Sequence, residues 1–303
     1  EASLLGRREV LTGKAKFGIF GAGKELAQIA LSKYFKNGDY RTGYYRDQTI
    51  ALATGNVTMK QLFAQLYAHA DVAHDPMSAG RMMNAHYATR MLDEYGEWNN
   101  LMEMKNMPAD LSPTAAQSLK ALGLALASKL YRNNKDIQHK TTFSNQGNEV
   151  TFCTIGDAST SEGIFWESVN AACVMQVPLI FNVWDDGYGI SVPQKYQTAK
   201  QSISQAMSGM QSDSQSLGMN IYTVKGWDYP ALVNTYKAAV EATRTSHTPA
   251  LVHVTEVTQP QGHSTSGSHE RYKSAERMQW ELDFDCMVHF KKWILTSKIA
   301  NES

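Results

Sequence analysis

Two apolar segments that each end abruptly in acidic residues constrain the fold of this chain more than any other feature. The segment EVTFCTI (149–155) runs into Gly156-Asp157, and VPLIFNVW (177–184) runs into Asp185-Asp186-Gly187. Between them lies SEGIFWESVNAACVMQ (161–176), which has the length and the composition of a helix. A strand, a helix and a strand in this order predict a βαβ unit, in which both strands lie parallel in one sheet.

The same alternation continues toward the C-terminus. Further strands are predicted at 219–224 and 250–257, with a helix at 229–246 between them. The last strand, ALVHVTEV, is a continuous apolar and β-branched run, which is typical of a strand covered on both faces. We therefore predict one α/β domain over residues 1–303, with a parallel sheet and helices on both of its faces. Because the chain opens in a helical pattern on Glu1 rather than Met, we expect a fragment of a longer polypeptide.

Charge and cysteine content narrow the possible partners. The 29 Lys and Arg residues balance the 29 Asp and Glu residues, so nothing indicates a nucleic-acid or membrane-surface partner, and we expect neither. The three cysteines, at positions 153, 173 and 286, form neither a disulfide framework nor a zinc spacing. Cys153 and Cys173 lie in apolar runs and are predicted to be core thiols. A reducing, cytoplasmic compartment fits this pattern.

The acidic residues behind the two strands are the strongest candidates for a site. Neighbouring parallel strands end at the same edge of a sheet, so Asp157 and Asp186 should lie on one crevice. Two unpaired buried carboxylates are strongly disfavoured, and Mg²⁺ with a phosphate-bearing ligand would remove that cost. Two simpler interpretations stay open. Asp157 caps a following helix, or Asp185-Asp186-Gly187 forms a β-turn.

Two stretches predict helix starts. The segment GIFGAGK (18–24) nearly matches a phosphate-binding loop, but Glu25 stands where Ser or Thr should reach a metal ion. Glycines that open a packed helix are therefore the favoured interpretation. Ser112-Pro113 has the pattern of an N-cap followed by the first helical residue, and it predicts a buried helix over 112–131.

Three further side chains are candidates for ligand contact. Arg46, next to Tyr45, can hold a phosphate through its forked guanidinium, although a surface Arg beside a half-buried Tyr would give the same pattern. His86 lies in an irregular stretch rich in Gly and Met and is either a site residue or a structural histidine.

Taken together, these stretches resemble the α subunit of the E1 component of thiamine diphosphate-dependent 2-oxoacid dehydrogenases, the branched-chain and pyruvate dehydrogenase group. The pattern Gly156-Asp157-Ala158, followed one βαβ unit later by Asp185-Asp186, is similar to the cofactor motif of that family, whose usual form is Gly-Asp-Gly and Asn-Asn. The matching landmarks are YYRD (44–47), AGRMMNAHY (79–87), SPTAAQSLKALGLALASK (112–129), GDASTSEGIFWESVNAA (156–172), PLIFNVWDDGYGIS (178–191) and GHSTSGSHERYK (262–273). Six such segments in family order make the resemblance specific.

The resemblance implies a thiamine diphosphate-binding fold and a set of site residues. By it, Asp157 and Asp186 match side-chain ligands of Mg²⁺, and Tyr188 matches a residue that gives its carbonyl to the metal. The other matching positions are Tyr45 and Arg46 on the diphosphate, Gly156 and Ala158 flanking it, Ser112 and Thr114 near the aminopyrimidine, and His263, which contacts the diphosphate and faces the reacting centre as the candidate catalytic residue.

The resemblance also implies an activity and partners. The activity is the oxidative decarboxylation of a 2-oxo acid, with transfer of the acyl group to a lipoyl group on a partner acyltransferase (E2). In the family, a pyrimidine-binding β domain completes the active site, and no such domain is visible in these 303 residues. We therefore expect a separate β subunit, as in a heterotetramer, or a fused β domain. The His-Ser-Thr-Ser loop that begins at His263 favours branched-chain acids, but pyruvate and acetoin enzymes share most of the landmarks, so all three substrates stay open.

Two departures from the family pattern leave alternatives open. Asp185-Asp186 replaces Asn-Asn, which adds repulsion around an anionic diphosphate. Ala158 stands where the family usually has Gly, and its methyl group narrows the approach to a phosphate. One alternative is a degenerate α domain that assembles with a β domain without turnover. The other is an unrelated magnesium-dependent phosphate enzyme.

Overall fold

The computed structural model of the chain describes residues 1–301. The helices are α1 (Ala2–Leu11), α2 (Glu25–Ser32), α3 (Gln48–Ala53), α4 (Met59–Leu66), α5 (Gln117–Asn133), α6 (Gly163–Met175), α7 (Ile203–Ala206), α8 (Tyr229–Ser246), α9 (Ala275–Asp283) and α10 (Cys286–Thr296). The strands are β1 (Tyr40–Thr42), β2 (Thr151–Gly156), β3 (Leu179–Trp184), β4 (Tyr188–Gly189), β5 (Val192–Pro193), β6 (Asn220–Lys225) and β7 (Ala250–Thr255).

Five of these strands form one parallel sheet in the order β1-β2-β3-β7-β6. The predicted α/β class and parallel sheet are confirmed, and each of the four predicted strands lies within two residues of its expected bounds. The register pairs Gly156 with Trp184, so the acidic segments after β2 and β3 leave the sheet side by side. The chain leaves β3 for the far edge at β6 and returns through β7. The loop after β7 therefore also opens beside the end of β3.

Alternation along the strands sends side chains into two cores on opposite faces of the sheet. Phe152 and Ile180 point toward the face covered by α2 and α8, whereas Ile155 and Phe181 point toward the face covered by α5 and α6. All four side chains are fully buried. Each contributes about 1.5–3 kcal/mol relative to an exposed position. Helices on both faces, as predicted, hold the strand ends rigidly at one edge.

The prediction that a helix starts at Ser112 is wrong. Helix α5 begins at Gln117, and Ala116 at its N-cap makes no side-chain capping bond. Ala115 adopts the left-handed conformation with φ of 63°, which interrupts a helix at that point. The helix is also not buried all round, because Leu119 and Leu130 are exposed. Residues 112–116 instead form a turn region at the edge of the sheet.

The other predicted features are largely confirmed. Glycines precede α2 as expected. Residues 198–218 contain the short helix α7 and 3₁₀ turns, and residues 274–297 contain the helix pair α9 and α10. Cys153 and Cys173 are buried free thiols. Strand β1 and helix α3 were not predicted from the sequence. Within residues 1–301, no helix combines the length and apolar character needed to cross a bilayer.

Candidate active site

A cavity of about 370 Å³ opens at the carboxyl ends of the central strands. It gathers nine of the ten predicted cofactor and metal positions, namely Tyr45, Arg46, Thr114, Gly156, Asp157, Ala158, Asp186, Tyr188 and His263. The remaining lining residues are Tyr44, Ser159, Glu162, Gly189, Ile190, Val192, Gln197 and Gln259. The roles assigned to the predicted residues stay predictions, but the tertiary structure brings the nine together.

Ser112 is the predicted residue that does not line this cavity. Its hydroxyl oxygen lies 3.1 Å from Nε2 of His86, and His86 is buried. The candidate His86 therefore lies next to the segment 112–116, not on the cavity wall. Thr114, two residues further along, does reach the cavity.

A buried ion network shapes the turn that presents Tyr45 and Arg46. The Nε of Arg41 donates to Oδ2 of Asp47 over 2.8 Å, and its Nη1 donates to Oδ1 of Asp110 over 3.0 Å. A Cβ atom at Gly43 would lie 2.0 Å from Nη2 of Arg41, so only glycine fits at this position. The two ends of the turn are thereby fixed, and the side chains between them are directed into the cavity.

The same network is anchored in the sheet through Asp47. Its Oδ1 accepts a hydrogen bond of 3.3 Å from Nε1 of Trp184, at the end of β3, and its Oδ2 accepts one from the hydroxyl of Thr154 in β2. Burial by itself raises the pKa of Asp47, while Arg41 and Thr154 oppose that shift. The turn after β1 is therefore positioned by the two strands that carry the acidic loops.

Arg46 is buried and links two segments that are distant in sequence. Its Nη1 donates to the carbonyl oxygen of Phe20 over 2.7 Å. Its Nη2 donates to the carbonyl oxygen of His263 over 2.8 Å and lies 3.0 Å from Nδ1 of the same residue. Arginine can only donate, so Nδ1 accepts and the ring proton of His263 lies on Nε2.

The imidazole of His263 is neutral over the physiological pH range. Burial, reinforced by the neighbouring Arg46 guanidinium, lowers the pKa of His263 to about 4. A neutral ring with its proton on Nε2 can donate a hydrogen bond to an anionic oxygen without adding a charge to the site.

Asp157 is a buried cavity residue with an unpartnered carboxylate oxygen. Its side chain is buried, and its Oδ2 has no hydrogen-bond partner. Burial, followed by the nearby carboxylates of Asp186 and Asp185, raises the pKa of Asp157 well above its usual range. The alternative that Asp157 caps the next helix is wrong, because no side-chain capping bond is formed there.

The two acidic residues after β3 have different partners. Asp185 takes the turn role considered from the sequence, since its Oδ1 accepts from the backbone N–H of Gly187 over 2.9 Å. Its Oδ2 lies 2.8 Å from Nε2 of His253 and accepts from Gln194 over 2.6 Å. Asp185 therefore fixes the loop and leaves Asp186 to line the cavity.

Asp186 forms an ion pair that sequence reasoning missed. Its Oδ2 lies 3.0 Å from Nζ of Lys24, and both side chains are almost fully buried. Burial alone would raise the pKa of Asp186, but Lys24, followed by Arg46, outweighs it and holds the pKa below its usual value. Burial lowers the pKa of Lys24, and the neighbouring Asp186 opposes that shift. Asp186 is thus a carboxylate in contact with a counter-ion, in contrast to Asp157.

Cations on α9 and the segment before it hold the turn that follows Asp186. Nη2 of Arg277 donates to the backbone carbonyl of Asp186 over 2.6 Å. Lys273 and Arg277 each place their charge 5.4 Å from the centre of the Tyr188 ring, and both also bond Glu281. These contacts are worth about 0.5–2 kcal/mol each where they are desolvated. Tyr188 is therefore held in place from outside the cavity.

The methyl group of Ala158, a departure from the family pattern, packs against the hairpin of β4 and β5. An ideal Cβ at Gly189 would lie only 2.7 Å from Cβ of Ala158 and 2.5 Å from Nε2 of Gln197. The methyl group of Ala158 therefore fits only because Gly189 has no side chain.

The residues present fit a magnesium ion that carries a diphosphate. Within residues 1–301, no three His, Cys, Asp or Glu side chains are grouped so that they could hold a metal by themselves. The site instead offers the unpartnered oxygen of Asp157, the carboxylate of Asp186 and backbone carbonyls. Magnesium commonly takes one or two carboxylates and fills its octahedron with water and phosphate oxygens.

A parallel α/β sheet that presents acidic and basic side chains around one cavity at its carboxyl edge is the architecture of a ligand-binding enzyme domain. The family model described as "Dehydrogenase E1 component" matches residues 8–303, and the chain belongs to this family. The expected relationship to the α subunits of the branched-chain and pyruvate dehydrogenase group is confirmed, and so is the expected class of enzyme component.

Curated relatives of known name support this placement. The chain is 29% identical over 292 residues to the 2-oxoisovalerate dehydrogenase subunit alpha of Bacillus subtilis (strain 168), which covers 96% of this chain and 77% of that protein. It is 27% identical to the mitochondrial 2-oxoisovalerate dehydrogenase subunit alpha of Caenorhabditis elegans, over 96% of this chain and 58% of that protein. The subunit alpha of the acetoin:2,6-dichlorophenolindophenol oxidoreductase of Bacillus subtilis (strain 168) is 28% identical over 52% of this chain and 45% of its own length.

Several residues that shape the site were missed from the sequence, namely Lys24, Arg41, Asp47, Lys273 and Arg277. Three of them carried a signal. Lys24 completes the glycine-rich segment that resembles a phosphate-binding loop, and Arg41 and Asp47 flank the glycine of YRTGYYRD. Lys273 ends the landmark GHSTSGSHERYK, but nothing in that segment indicates its contact with Tyr188. Arg277 lies in a polar segment without a distinctive pattern, so only the packing of α9 reveals its role.

Proposed function

We propose that this chain binds thiamine diphosphate with Mg²⁺ and takes part in the oxidative decarboxylation of a 2-oxo acid. The observation that carries the proposal is the buried, unpartnered Oδ2 of Asp157 in a cavity that also holds Arg46 and His263. An isolated carboxylate of this kind is costly in the chain alone. A divalent cation that bridges it to a diphosphate removes the cost.

Different residues of the chain would bind Mg²⁺ and the diphosphate. Asp157, Asp186 and the carbonyl of Tyr188 would hold Mg²⁺, with Gly156 and Ala158 beside the diphosphate. Arg46, with Tyr45, would supply positive charge and a hydroxyl to the diphosphate. When bound, the cofactor supplies the thiazolium chemistry that removes carbon dioxide from a 2-oxo acid.

His263 is the residue proposed to act at the reacting centre. It lines the cavity, and Arg46 fixes its ring with the proton on Nε2. With a pKa of about 4, it stays neutral and can donate to an oxygen of the diphosphate or of the substrate at neutral pH. It is therefore a hydrogen-bond donor of fixed orientation rather than a charged acid.

The proposed substrate is a branched-chain 2-oxo acid, with 2-oxoisovalerate as the first to test, because relatives matched over most of this chain carry that name. The carboxylate leaves as carbon dioxide, and the acyl carbon is oxidised as it is transferred to a lipoyl sulfur. The lipoyl disulfide is reduced in the same step, so the oxidant is the lipoyl group of a partner acyltransferase.

A pyrimidine-binding β domain, separate or fused, is proposed to complete the site. The chain spans about half to three quarters of the length of its curated relatives. Leu119 and Leu130 on α5 and Val174 on α6 are exposed large apolar side chains near the same layer, as expected of a surface that a partner covers. Three free, buried cysteines fit a cytoplasmic location for the assembly.

The test is reconstitution of the full-length polypeptide with its β partner, thiamine diphosphate, Mg²⁺ and a lipoyl domain. Release of carbon dioxide is measured with 2-oxoisovalerate and pyruvate. Acetoin has no carboxylate to lose, so its turnover is measured as reduction of the lipoyl group. We expect turnover to be fastest with 2-oxoisovalerate. A His263→Ala assembly that still binds the cofactor is the matched control and should lose turnover.

The outcomes separate the alternatives. Binding of the cofactor by the wild-type assembly without turnover of any of the three substrates would identify a degenerate α domain. Binding of a nucleotide in place of thiamine diphosphate would identify a different magnesium-dependent phosphate enzyme.

A further inference from the structure

We propose that Lys24 is a built-in counter-ion that makes Asp186 equivalent in charge to a neutral amide, so that the site accepts both a divalent cation and a diphosphate. The inference rests on the proposed function, because it explains how an acidic residue is tolerated beside an anionic ligand. Lys24 is a positioning residue that acts through Asp186, since it does not line the cavity itself.

The position of Lys24 is set by the preceding Gly23 and by the loop after β7. Its Nζ donates to Oδ2 of Asp186 over 3.0 Å, to Oε1 of Gln259 over 3.2 Å and to the carbonyl oxygen of Thr258 over 3.3 Å. A Cβ atom at Gly23 would lie 2.2 Å from that same carbonyl oxygen. Only glycine lets the chain approach so closely, and all three donor positions of the ammonium group are used.

The other cations near Asp186 are committed to different acceptors. Arg46 donates to the carbonyl oxygens of Phe20 and His263. Lys273 pairs with Glu281. Arg277 pairs with Glu281 and donates to the backbone of Asp186 rather than to its carboxylate. The charge of the Asp186 side chain is therefore balanced mainly by Lys24.

Lys24 offsets one of the two negative charges that the aspartates bring to the site. When both are ionised, Asp157 and Asp186 carry two negative charges, and Lys24 brings the sum for these three side chains to minus one. A site with one aspartate and one neutral amide has the same net charge. Removing Lys24 would leave two buried carboxylates without the cation that contacts Asp186, which attracts a bare metal ion more strongly and repels a diphosphate.

This charge balance predicts opposite effects on two ligands. In the Lys24→Met variant, we expect Mn²⁺, used as the probe in the absence of cofactor, to bind several-fold more tightly. We expect thiamine diphosphate at saturating Mg²⁺ to bind about tenfold more weakly. A role of Lys24 in packing alone would weaken both. Adding Asp186→Asn removes the uncompensated charge, so the double variant should return both affinities to near the wild-type values.

The experiment compares the wild type with K24M, D186N, K24M/D186N and the charge-conserving K24R, all in the full-length polypeptide with its partner. Affinity for Mn²⁺ is measured by electron paramagnetic resonance, affinity for the cofactor by calorimetry, and Tm is measured without ligands. K24R should stay closest to the wild type among the single variants. If K24M does not fold, D186N alone still tests the idea, because it should weaken Mn²⁺ binding and K24M/D186N should restore folding.

The results distinguish this inference from the proposed function. Equal losses of both affinities in K24M, or no recovery in the double variant, would overturn the counter-ion role. A wild-type assembly that binds Mn²⁺ but not thiamine diphosphate would overturn the proposed function. In that case, tighter Mn²⁺ binding in K24M and its reversal in the double variant would still support Lys24 as the counter-ion of Asp186.

Discussion

The guanidinium of Arg46 contacts both the ring and the backbone of His263, with its Nη2 lying 3.0 Å from Nδ1 and 2.8 Å from the carbonyl oxygen. The two residues are 217 positions apart in the chain. One side chain therefore orients the candidate catalytic histidine and ties the loop after β7 to the turn after β1. Arg46, the proposed contact of the diphosphate, and His263, the proposed catalytic residue, are therefore held together by direct hydrogen bonds.

Replacing Arg46 with Lys should break the hydrogen bonds between residue 46 and His263. Lysine keeps the charge but cannot reach the carbonyls of Phe20 and His263 together with Nδ1. Loss of charge-assisted hydrogen bonds should lower the affinity for thiamine diphosphate about ten- to hundredfold, as measured by calorimetry. Arg132→Lys is the matched control, because Arg132 also donates to backbone carbonyls but lies away from the cavity. An equal loss of affinity in both variants would contradict the assignment.

Replacing Asp157 with Asn should stabilise the chain without ligands and abolish its response to them. Asn removes the buried negative charge and its repulsion from Asp186 and Asp185, and these are the two causes of the cost in the wild type. Because the pKa of Asp157 is raised in the folded state, the wild type loses stability as pH rises above about 4, and the variant should not. The measurement is Tm at pH 7, with and without thiamine diphosphate and Mg²⁺. A less stable variant that is still stabilised by the two ligands would rule out the proposed metal role.

Stability should fall in acid partly because of His247, far from the cavity. Burial lowers the pKa of His247 to about 4, and its Nε2 lies 2.8 Å from the carbonyl oxygen of Gly147. The unfolded chain, with a histidine pKa of about 6.5, binds more protons between pH 6.5 and pH 4, so the free energy of unfolding decreases as pH falls through that window. His263 contributes with the same sign.

The variant His247→Asn should make that decrease shallower. Asn tolerates the left-handed conformation of this residue, whose φ is 57°. Urea unfolding between pH 4 and pH 7 measures the effect, and the same substitution at the exposed His139 serves as the control. An unchanged slope in the His247 variant would show that this histidine does not contribute.

Gly189→Ala should disturb the hairpin beside Ala158. The new methyl group would overlap Cβ of Ala158 and the amide of Gln197, at a cost of about 1–3 kcal/mol. Adding Ala158→Gly should recover part of that loss, since one of the two overlaps disappears. Gly209→Ala is the control, because a methyl group there meets no atom within 4 Å. Equal changes in Tm for both glycines, or no recovery in the double variant, would show that the two residues are not in contact.

The local pattern of apolar and polar residues was sufficient to predict four of the five strands of the parallel sheet. Apolar runs that end in glycine or acidic residues predicted β2, β3 and β7, because a strand buried on both faces has few other possible sequences. Strand β6 is a partly exposed edge strand, and its place in the alternation of strands and helices predicted it. The βαβ order placed Asp157 and Asp186 at one edge, since neighbouring parallel strands must end together. Strand β1 was missed because three residues, YRT, are too few to show a period.

What the sequence by itself determined is thus the α/β class, the edge of the sheet that carries the site, and most of the side chains that line it. Only the tertiary structure decided that Asp186 is neutralised while Asp157 is not. Lys24 and Asp186 are 162 residues apart, and they meet because β7 returns beside β3 and brings its loop against the glycines before α2. Ion pairs between distant segments leave no periodicity in the chain, so the charge balance of the site appears only when the strands are assembled.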